Sequence, residues 1–483
     1  MEEKSLKEKT ASGLSWSILD KLLQNGFVLV CGILLARMID KDNYGLIAVL
    51  MIFVGLANVL QESGFTSAII RKKNITQSDY ITVFYTNITI GIVIYLILFF
   101  LAPVISDIYE EPILTPLARV LFLSFVFNSF AVVQNAKLIK EINYKLITKI
   151  NSFSVCATYS LALLLAYLGY GVWALASLYV VWAFLKMVCF WLFSKWKPSG
   201  SFSKESFKEF FSFSSKLLAG SLINSVMANI PQSILGKQYS IDTGGAYNQM
   251  SRQYNAANDL LTGSVYNVSF PILASVHDEI RLKKIFRKFI RIKALIIFPM
   301  FMGIILVAGS FMHLLGDQWL NAAPILQLLA LTGIFNGLET ANNDILRIKG
   351  KSGIILYLTI FHAILILATI AIPVFLKLDY LYYIGAITIT YIIRYIVSTT
   401  ISQKLIGYKI TELIKDLAPY FAISLLCIGC GYLLSFIISK PIPLMICQII
   451  FVALLYFGVL YLSGSKVLKE AVEYVTKRKV NKQ

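Results

Sequence analysis

The sequence contains few charged residues and almost no histidine. Only 14% of its 483 residues are charged and three are histidines, whereas a soluble domain carries about a quarter charged residues. Hydrophobic residues make up 57% of the chain, and the mean hydropathy is +0.72. This composition excludes an ordinary soluble enzyme and indicates a protein that lies almost wholly in a membrane.

Motifs for metals, cofactors and covalent catalysis are also missing. The six cysteines lie in apolar runs, and the C-x-x-C formed by Cys427 and Cys430 has no second pair and no nearby histidine to complete a zinc site. His277, His313 and His362 are isolated from one another, and no H-E-x-x-H or glycine-rich phosphate loop is present. We therefore expect no cofactor, no metal, no catalytic residue and no enzymatic activity.

Apolar runs long enough to cross a bilayer dominate the chain. A crossing helix needs about 20 apolar residues, and about 275 hydrophobic residues are present. We predict an all-α polytopic protein with about fourteen transmembrane helices, near residues 15–36, 44–66, 81–105, 113–136, 150–169, 172–194, 212–236, 246–273, 292–315, 321–346, 353–376, 380–403, 416–438 and 441–463.

The net charge of +18 records membrane topology rather than a nucleic-acid partner, because no soluble domain is left to carry a basic face. Cytoplasmic loops accumulate Lys and Arg. With a cytoplasmic amino terminus, the inside segments hold 34 of these residues and the outside loops hold five. Residues 1–13 are polar, and the apolar run after them is too long for a signal peptide, so the first helix is retained. Both termini are predicted to be cytoplasmic.

Breaker residues at 197–203 divide six helices from eight. We predict a six-helix bundle at 1–197, a cytoplasmic linker at 198–211, a second six-helix bundle at 212–404, and two further helices with a basic tail at 405–483. A weak repeat supports this division, because residues 34–45 align with 234–245 and match at Leu35, Asp42 and Gly45. Six helices per repeat is an even number, so the bundles are expected to form a parallel repeat about an axis along the membrane normal.

Polar residues inside the predicted spans mark candidate functional positions, since each buried charge costs at least about 2.5 kcal/mol on insertion scales. In the eighth predicted helix (246–273), four polar residues separated by four, three and four positions lie on a single face. Polar faces on helices 1, 2, 7 and 8 predict a hydrated cleft between the bundles. Interhelical hydrogen bonding would also explain them, as would pairing of the five acidic with the five basic residues inside the spans. These residues are Asp20, Glu62, Asp259, Glu339 and Asp344, and Lys21, Arg119, Lys186, Arg252 and Arg394. The helix 8 face consists of Asn248, Arg252, Asn255 and Asp259.

Several segments resemble one known family. Residues 34–45 (LLARMIDKDNYG), 62–71 (ESGFTSAIIR), 169–175 (GYGVWAL), 245–248 (GAYN), 270–273 (FPIL) and 315–324 (LGDQWLNAAP) are similar to Wzx-type polysaccharide and O-antigen flippases. These proteins form the lipopolysaccharide or colanic-acid exporter branch of the multidrug/oligosaccharidyl-lipid/polysaccharide exporter superfamily. The resemblance extends over roughly residues 10 to 405.

The resemblance implies a two-lobed flippase that moves an undecaprenyl-diphosphate-linked oligosaccharide to the outer leaflet of a bacterial plasma membrane by alternating access. It implies a cationic cavity, for which Lys21, Arg252 and Arg394 are the candidates. Asn25, Asn248, Asn255 and Asp259 complete the expected substrate-binding set, and Asp20, Glu62 and Glu339 are candidates for ion coupling. The expected partners are the lipid-linked oligosaccharide, membrane lipids, a polysaccharide polymerase and glycosyltransferases, with no nucleic acid.

Three alternatives stay open at this level. A drug/cation antiporter of the same superfamily would use acids such as Asp20 or Asp259, and a lipid II flippase shares the fourteen-helix plan. From a different class, a membrane polysaccharide polymerase or ligase would use the same lipid-linked donor. Such enzymes resemble proteins with a large outside loop, and no predicted outside loop is long enough.

The charge distribution generates a prediction of topology. Single cysteines introduced by Lys283→Cys or Arg478→Cys should react with an impermeant thiol reagent only after the membrane is permeabilised, and Glu110→Cys should react from outside. Labelling of Lys283→Cys in intact spheroplasts would contradict the orientation and the number of crossings together.

Overall fold

A computed structural model describes residues 24–465, apart from a few positions. The exceptions are 25, 63–68, 70, 71, 73, 142, 195, 275 and 277, together with the side chains of 62, 212–220, 259–272, 274 and 352. Backbone contacts divide the chain into two compact units, Met1–Asn248 and Gln249–Gln483. The division falls within one long helix. The predicted bundle limits at 197 and 212 stay a prediction.

The first unit contains helices α1 to α7 and the start of α8. Their bounds are α1 (Gly26–Met38), α2 (Lys41–Glu62), α3 (Gln77–Tyr109), α4 (Leu114–Lys140), α5 (Tyr144–Tyr167), α6 (Val172–Phe193), α7 (Lys204–Gln238) and α8 (Ile241–Ala274). Helix α7 begins within the predicted linker because Ser203 caps it by accepting a hydrogen bond from the Ser206 amide.

The second unit contains the rest of α8 and helices α9 to α14. Their bounds are α9 (Glu279–Leu315), α10 (Ala323–Ile348), α11 (Ser352–Phe375), α12 (Tyr380–Ile406), α13 (Ile410–Leu433) and α14 (Pro441–Leu462), with a 3-10 helix at Asp317–Ala322. Helix α9 packs against α10, α13 and α14, and α12 packs against α10 and α11. The predicted pair of C-terminal helices is therefore packed on α9.

The part of the chain that the structure describes is helical and has no strand, which confirms the predicted all-α class. Helices suit a membrane because each satisfies its backbone hydrogen bonds internally. Within these residues, eleven helices are long and apolar enough to cross a bilayer. Helices α7 and α8 have 35 and 34 residues; they are not among the eleven, and each contains residues whose side chains are not described. The number of fourteen crossings stays a prediction.

The repeated sequence brings α2 and α8 together in the first unit. A Cβ atom added to Gly45 would lie 2.1 Å from the Ile241 carbonyl oxygen, and one added to Gly245 would lie 2.6 Å from the Lys41 carbonyl oxygen. Residues 41 and 241 are equivalent at the repeat offset of 200, as are 45 and 245. Each glycine thus lies against the backbone one turn before its counterpart in the aligned segment. Lys41 Nζ also pairs with Asp242 Oδ2 at 3.1 Å.

This contact predicts the effect of small substitutions. Gly45→Ala and Gly245→Ala should each lower the melting temperature in detergent, because a methyl group would force two backbones apart at a cost of about 1 to 3 kcal/mol. Gly32→Ala in α1 is the matched control, since a Cβ atom there meets nothing within 4 Å and alanine favours a helix. Equal melting temperatures for Gly245→Ala and Gly32→Ala would show that the close approach does not exist.

Candidate functional site

Half of the predicted site residues can be located with their side chains. Asp20, Lys21 and Asn25 lie outside the described residues, as do the side chains of Glu62 and Asp259. The others fall into two regions. Asn248 belongs to the first unit. Arg252, Asn255, Glu339 and Arg394 belong to the second unit, on helices α8, α10 and α12.

Asn248 ends a chain of amide groups between α7 and α8. Its Nδ2 donates to Gln232 Oε1 at 3.0 Å, Gln232 Nε2 donates to Asn229 Oδ1 at 3.2 Å, and Asn229 donates to the Ser225 carbonyl oxygen at 2.9 Å. Gly55 of α2 leaves room for these side chains, because a Cβ atom there would lie 2.5 Å from Asn229 Nδ2. Asn248 is buried, so its hydrogen bond to Gln232 contributes to helix packing.

The face predicted for helix 8 continues into the second unit. Arg252 is half-buried and Asn255 is exposed. The neighbouring Tyr254 accepts a hydrogen bond at its hydroxyl from Asn336 Nδ2 of α10, at 3.1 Å. Of the three residues of this face whose side chains the structure describes, Asn248 is buried, whereas Arg252 and Asn255 keep exposed side-chain surface.

Helix α10 supplies two acidic side chains to the interior of the second unit. Glu339 is 2% exposed, and its Oε1 accepts a hydrogen bond from Arg394 Nε of α12 at 2.9 Å. Asn343 Nδ2 also donates to this oxygen at 3.3 Å. Since a buried charge without a partner is strongly destabilising, Glu339 and Arg394 depend on each other.

The second acid of α10 is accompanied by a lysine from α9. Lys293 and Asp344 are 2% and 1% exposed, and the two charges attract each other. Lys293 Nζ also donates to Thr340 Oγ1 at 2.6 Å. Lys293 lies at the start of the predicted span 292–315, and the structure buries it inside α9. Glu339 is thus paired with a base of α12, and Asp344 has a buried base of α9 in its vicinity.

His362 of α11 joins the Glu339–Arg394 pair. Arg394 Nη1 lies 3.1 Å from His362 Nδ1, and His362 Nε2 lies 3.1 Å from Thr390 Oγ1 of α12. The imidazole also packs edge-on against Tyr391, with ring centroids 4.6 Å apart. No motif in the sequence indicates this contact, because His362 and Arg394 are 32 residues apart on different helices.

Hydroxyl groups complete the contact between α10 and α12. Asn342 Nδ2 donates to Ser398 Oγ and Thr399 Oγ1 at 3.1 and 2.9 Å, and Ser402 donates to Asn342 Oδ1 at 2.8 Å. Thr332 and Thr388 are joined through their hydroxyl oxygens at 3.0 Å. Polar contacts therefore accompany the α10–α12 packing along several turns and hold the ion pair in a fixed frame.

A second ion cluster lies where α9 begins and α12 turns into α13. Arg287 donates from Nε and Nη2 to the two oxygens of Asp416 at 2.7 and 3.0 Å, and Arg291 Nε donates to Oδ1 at 2.8 Å. Tyr408 in the turn donates its hydroxyl to Asp416 at 2.8 Å. Burial and this hydrogen bond raise the pKa of Tyr408 above its ordinary value, so the phenol stays protonated and donating.

The first unit has a comparable cluster at the start of α3. Lys72 Nζ bonds Asp79 and Glu209 at 3.0 Å each. Burial alone would lower the pKa of Lys72, but the hydrogen bonds to both carboxylates outweigh it and raise that pKa. Lys140 donates to the carbonyl oxygens of Ile69 and Lys72. Both clusters tie helices and loops of the protein to one another.

Eleven helices long and apolar enough to cross a bilayer, found within the described residues, define a polytopic membrane protein. Two examples illustrate the solved structures that share this fold. The lipid II flippase MurJ in an inward closed conformation gives a TM-score of 0.77 at 14% identity, covering 92% of this chain and 97% of that one. A multidrug resistance MATE family transporter of the MOP superfamily, in an inward-facing conformation, gives 0.61 at 17% identity, covering 80% and 94%.

Residues 34–324 match the family described as "Polysaccharide biosynthesis protein", and the chain belongs to that family. The lipopolysaccharide biosynthesis protein WzxC of Escherichia coli K12 is 27% identical over 454 residues, covering 91% of this chain and 85% of WzxC. The teichuronic acid biosynthesis protein TuaB of Bacillus subtilis 168 is 24% identical, covering 73% and 74%. The sequence-based assignment to the polysaccharide exporters is confirmed.

The buried ion pair predicts an asymmetry between single and double substitutions. Arg394→Gln should leave Glu339 buried without its counter-charge and lower the free energy of unfolding by about 3 to 5 kcal/mol. Adding Glu339→Gln should restore most of this loss, because the remaining amides are neutral. Thermal stability in detergent and the amount of protein in the membrane measure both effects. A double variant less stable than Arg394→Gln alone would contradict the pairing.

Proposed function

We propose that this protein is a flippase that moves an undecaprenyl-diphosphate-linked oligosaccharide from the cytoplasmic to the outer leaflet of a bacterial plasma membrane. It acts by alternating access and supplies the synthesis of cell-surface polysaccharide. The observation that carries the proposal is the 27% identity with WzxC over 91% of the chain. The fold shared with a flippase and a multidrug transporter is compatible with transport of a lipid-linked substrate.

The diphosphate is the part of such a substrate whose transfer into hydrocarbon costs the most free energy. Its passage therefore needs compensating cations. Arg252 and Arg394 are the candidates in the second unit, and Lys21 is a candidate in the first. A guanidinium group suits this task because its planar donors match phosphate oxygens. Pairing with Glu339 keeps the charge of Arg394 compensated when no substrate is bound.

The remaining parts of the substrate need surfaces of other kinds. For the glycan, exposed Asn255 offers an amide that hydrogen-bonds hydroxyl groups, and Asn25, Asn248 and Asp259 remain candidates beside it. For the polyprenyl tail, α9 and α14 enclose an apolar cavity of about 380 Å³, with Pro299, Gly303 and Val452 in its wall. The tail can therefore be accommodated at the protein surface while its outer part stays in the bilayer.

Ion coupling is proposed to involve Asp20, Glu62 and Glu339. Glu339 is suited to such a role because protonation or cation binding would weaken its hydrogen bonds to Arg394 and Asn343 and release the guanidinium. We further propose that both termini are cytoplasmic and that a polysaccharide polymerase and glycosyltransferases act on the same lipid-linked intermediate before and after transport.

Drug export and lipid II transport are weaker candidates. Likeness to the MATE transporter and to MurJ rests on 17% and 14% identity and concerns the fold. The sequence relatives, in contrast, are named for lipopolysaccharide and teichuronic acid biosynthesis. A polymerase or ligase would need catalytic residues for glycan transfer, and the sequence offers no constellation of that kind.

The cation assignment is tested by complementation of a flippase-deficient strain. Arg252→Ala, and separately the neutral-pair variant in which Glu339→Gln is combined with Arg394→Gln, should reach normal membrane levels yet restore little surface polysaccharide. Arg252→Lys should recover part of the function as a point charge. The exposed loop substitution Lys440→Ala is the matched control and should export normally. Normal export by Arg252→Ala together with the neutral pair would remove the proposed binding role.

Transport without covalent change to the substrate is tested in reconstituted vesicles. The purified protein should redistribute the lipid-linked oligosaccharide between leaflets while its mass, measured by mass spectrometry, stays the same. Recovery of a lengthened or cleaved glycan would instead identify an enzyme.

A further inference from the structure

Only one assignment of donors and acceptors is possible for the hydrogen bonds around His362. A guanidinium group has donors and no acceptor, so Arg394 Nη1 must donate to a lone pair on His362 Nδ1. The imidazole proton is then on Nε2, which donates to Thr390 Oγ1 at 3.1 Å. The Thr390 hydroxyl in turn donates to the Ile387 carbonyl oxygen at 2.7 Å. The chain of donors ends on backbone, and His362 is neutral with a defined tautomer.

The same geometry leaves part of Arg394 available. The guanidinium group has five N–H donors, and among the residues that the structure describes, Glu339 and His362 are the groups that accept its hydrogen bonds. The Arg394 side chain is 15% exposed, whereas Glu339 and His362 are 2% and 4% exposed. The two acceptors thus hold the guanidinium from the buried side and leave its other donors free to bind an anion.

We propose that His362 is a positioning residue that fixes the orientation of Arg394 for the diphosphate of the substrate. This inference rests on the proposed function, in which Arg394 contacts that diphosphate. Glu339 alone fixes the guanidinium group through Nε and leaves it able to swing about that bond. The second bond, from Nη1 to His362, removes this freedom. His362 is itself held by Thr390 and by the edge-on contact with Tyr391.

A packing role alone does not account for these contacts. Burying an imidazole in an apolar interior is unfavourable unless its nitrogen atoms are hydrogen-bonded, and leucine or phenylalanine would fill the same space without that penalty. Both nitrogen atoms of His362 are hydrogen-bonded, one to the candidate binding residue and one to an anchor. An arginine held in advance loses less conformational entropy when an anion binds.

The test separates substrate binding from turnover in vesicles. The substrate is the lipid-linked oligosaccharide extracted from a flippase-deficient strain, and the initial rate of flipping is measured against its concentration. His362→Leu should raise the concentration for half-maximal rate about tenfold, equivalent to about 1.4 kcal/mol, with little change in maximal rate. His362→Gln should recover most of the affinity, since its amide both accepts and donates. No rise for His362→Leu would overturn the inference.

A double-mutant cycle shows whether His362 acts through Arg394. In the neutral-pair variant, which lacks the guanidinium group, His362→Leu should cause no further loss. Independent, additive losses would contradict a positioning role. Defective flipping by the neutral pair together with normal flipping by His362→Leu would remove the inference and leave the role of Arg394 intact. Normal flipping by both would remove the diphosphate role of Arg394, and the inference with it.

A second variant covers the case in which His362→Leu does not accumulate. Thr390→Val keeps the shape of the side chain and removes the acceptor that anchors His362 Nε2. It should raise the half-maximal concentration in the same direction by a smaller factor, about threefold, and this rise should vanish in the neutral-pair background. A normal half-maximal concentration for Thr390→Val in folded protein would show that the anchor does not position Arg394.

Discussion

Compensation of buried charge is the constraint on which the second unit depends. Helix α10 carries Glu339 and Asp344 into an interior where each is 2% exposed or less. Neither acid could remain charged there alone, because removing one partner of a buried pair costs about 3 to 5 kcal/mol. Arg394 from α12 is hydrogen-bonded to Glu339, and Lys293 from α9 is a buried base in the vicinity of Asp344. Offsetting buried charge therefore favours α9 and α12 as neighbours of α10.

The other polar contacts follow from the apolar character of the lipid hydrocarbon. A lone helix already satisfies its backbone, and lipid is as apolar as leucine, so close packing and side-chain hydrogen bonds must hold the helices together. In the first unit these are the Gly45 and Gly245 contacts and the amide chain from Asn248 to Ser225. In the second unit they are the bonds of Asn342 with hydroxyl groups of α12. Such fixed frames can hold a functional cation in one orientation.

Sequence patterns mark polar residues inside the spans but do not distinguish those that pack helices together from those that could bind a substrate. Asn248 and Arg252 belong to one predicted face, yet Asn248 is 4% exposed and hydrogen-bonded to Gln232, while Arg252 keeps surface. His362 stands isolated in the sequence because its partners Arg394 and Thr390 lie on another helix. Helical periodicity predicts which residues share a face of one helix, but not which residues of a neighbouring helix they contact.

The sequence by itself determined that this is a helical membrane protein of the polysaccharide exporter family. Apolar length and the cost of exposing backbone to lipid leave no other architecture, and the motifs between residues 34 and 324 identify the family. Only the tertiary structure decided which charges compensate each other and which polar groups are consumed by packing. The physical reason is distance. Ion pairs and hydrogen bonds act over a few ångströms, whereas Arg394 and Glu339 are 55 residues apart in the chain.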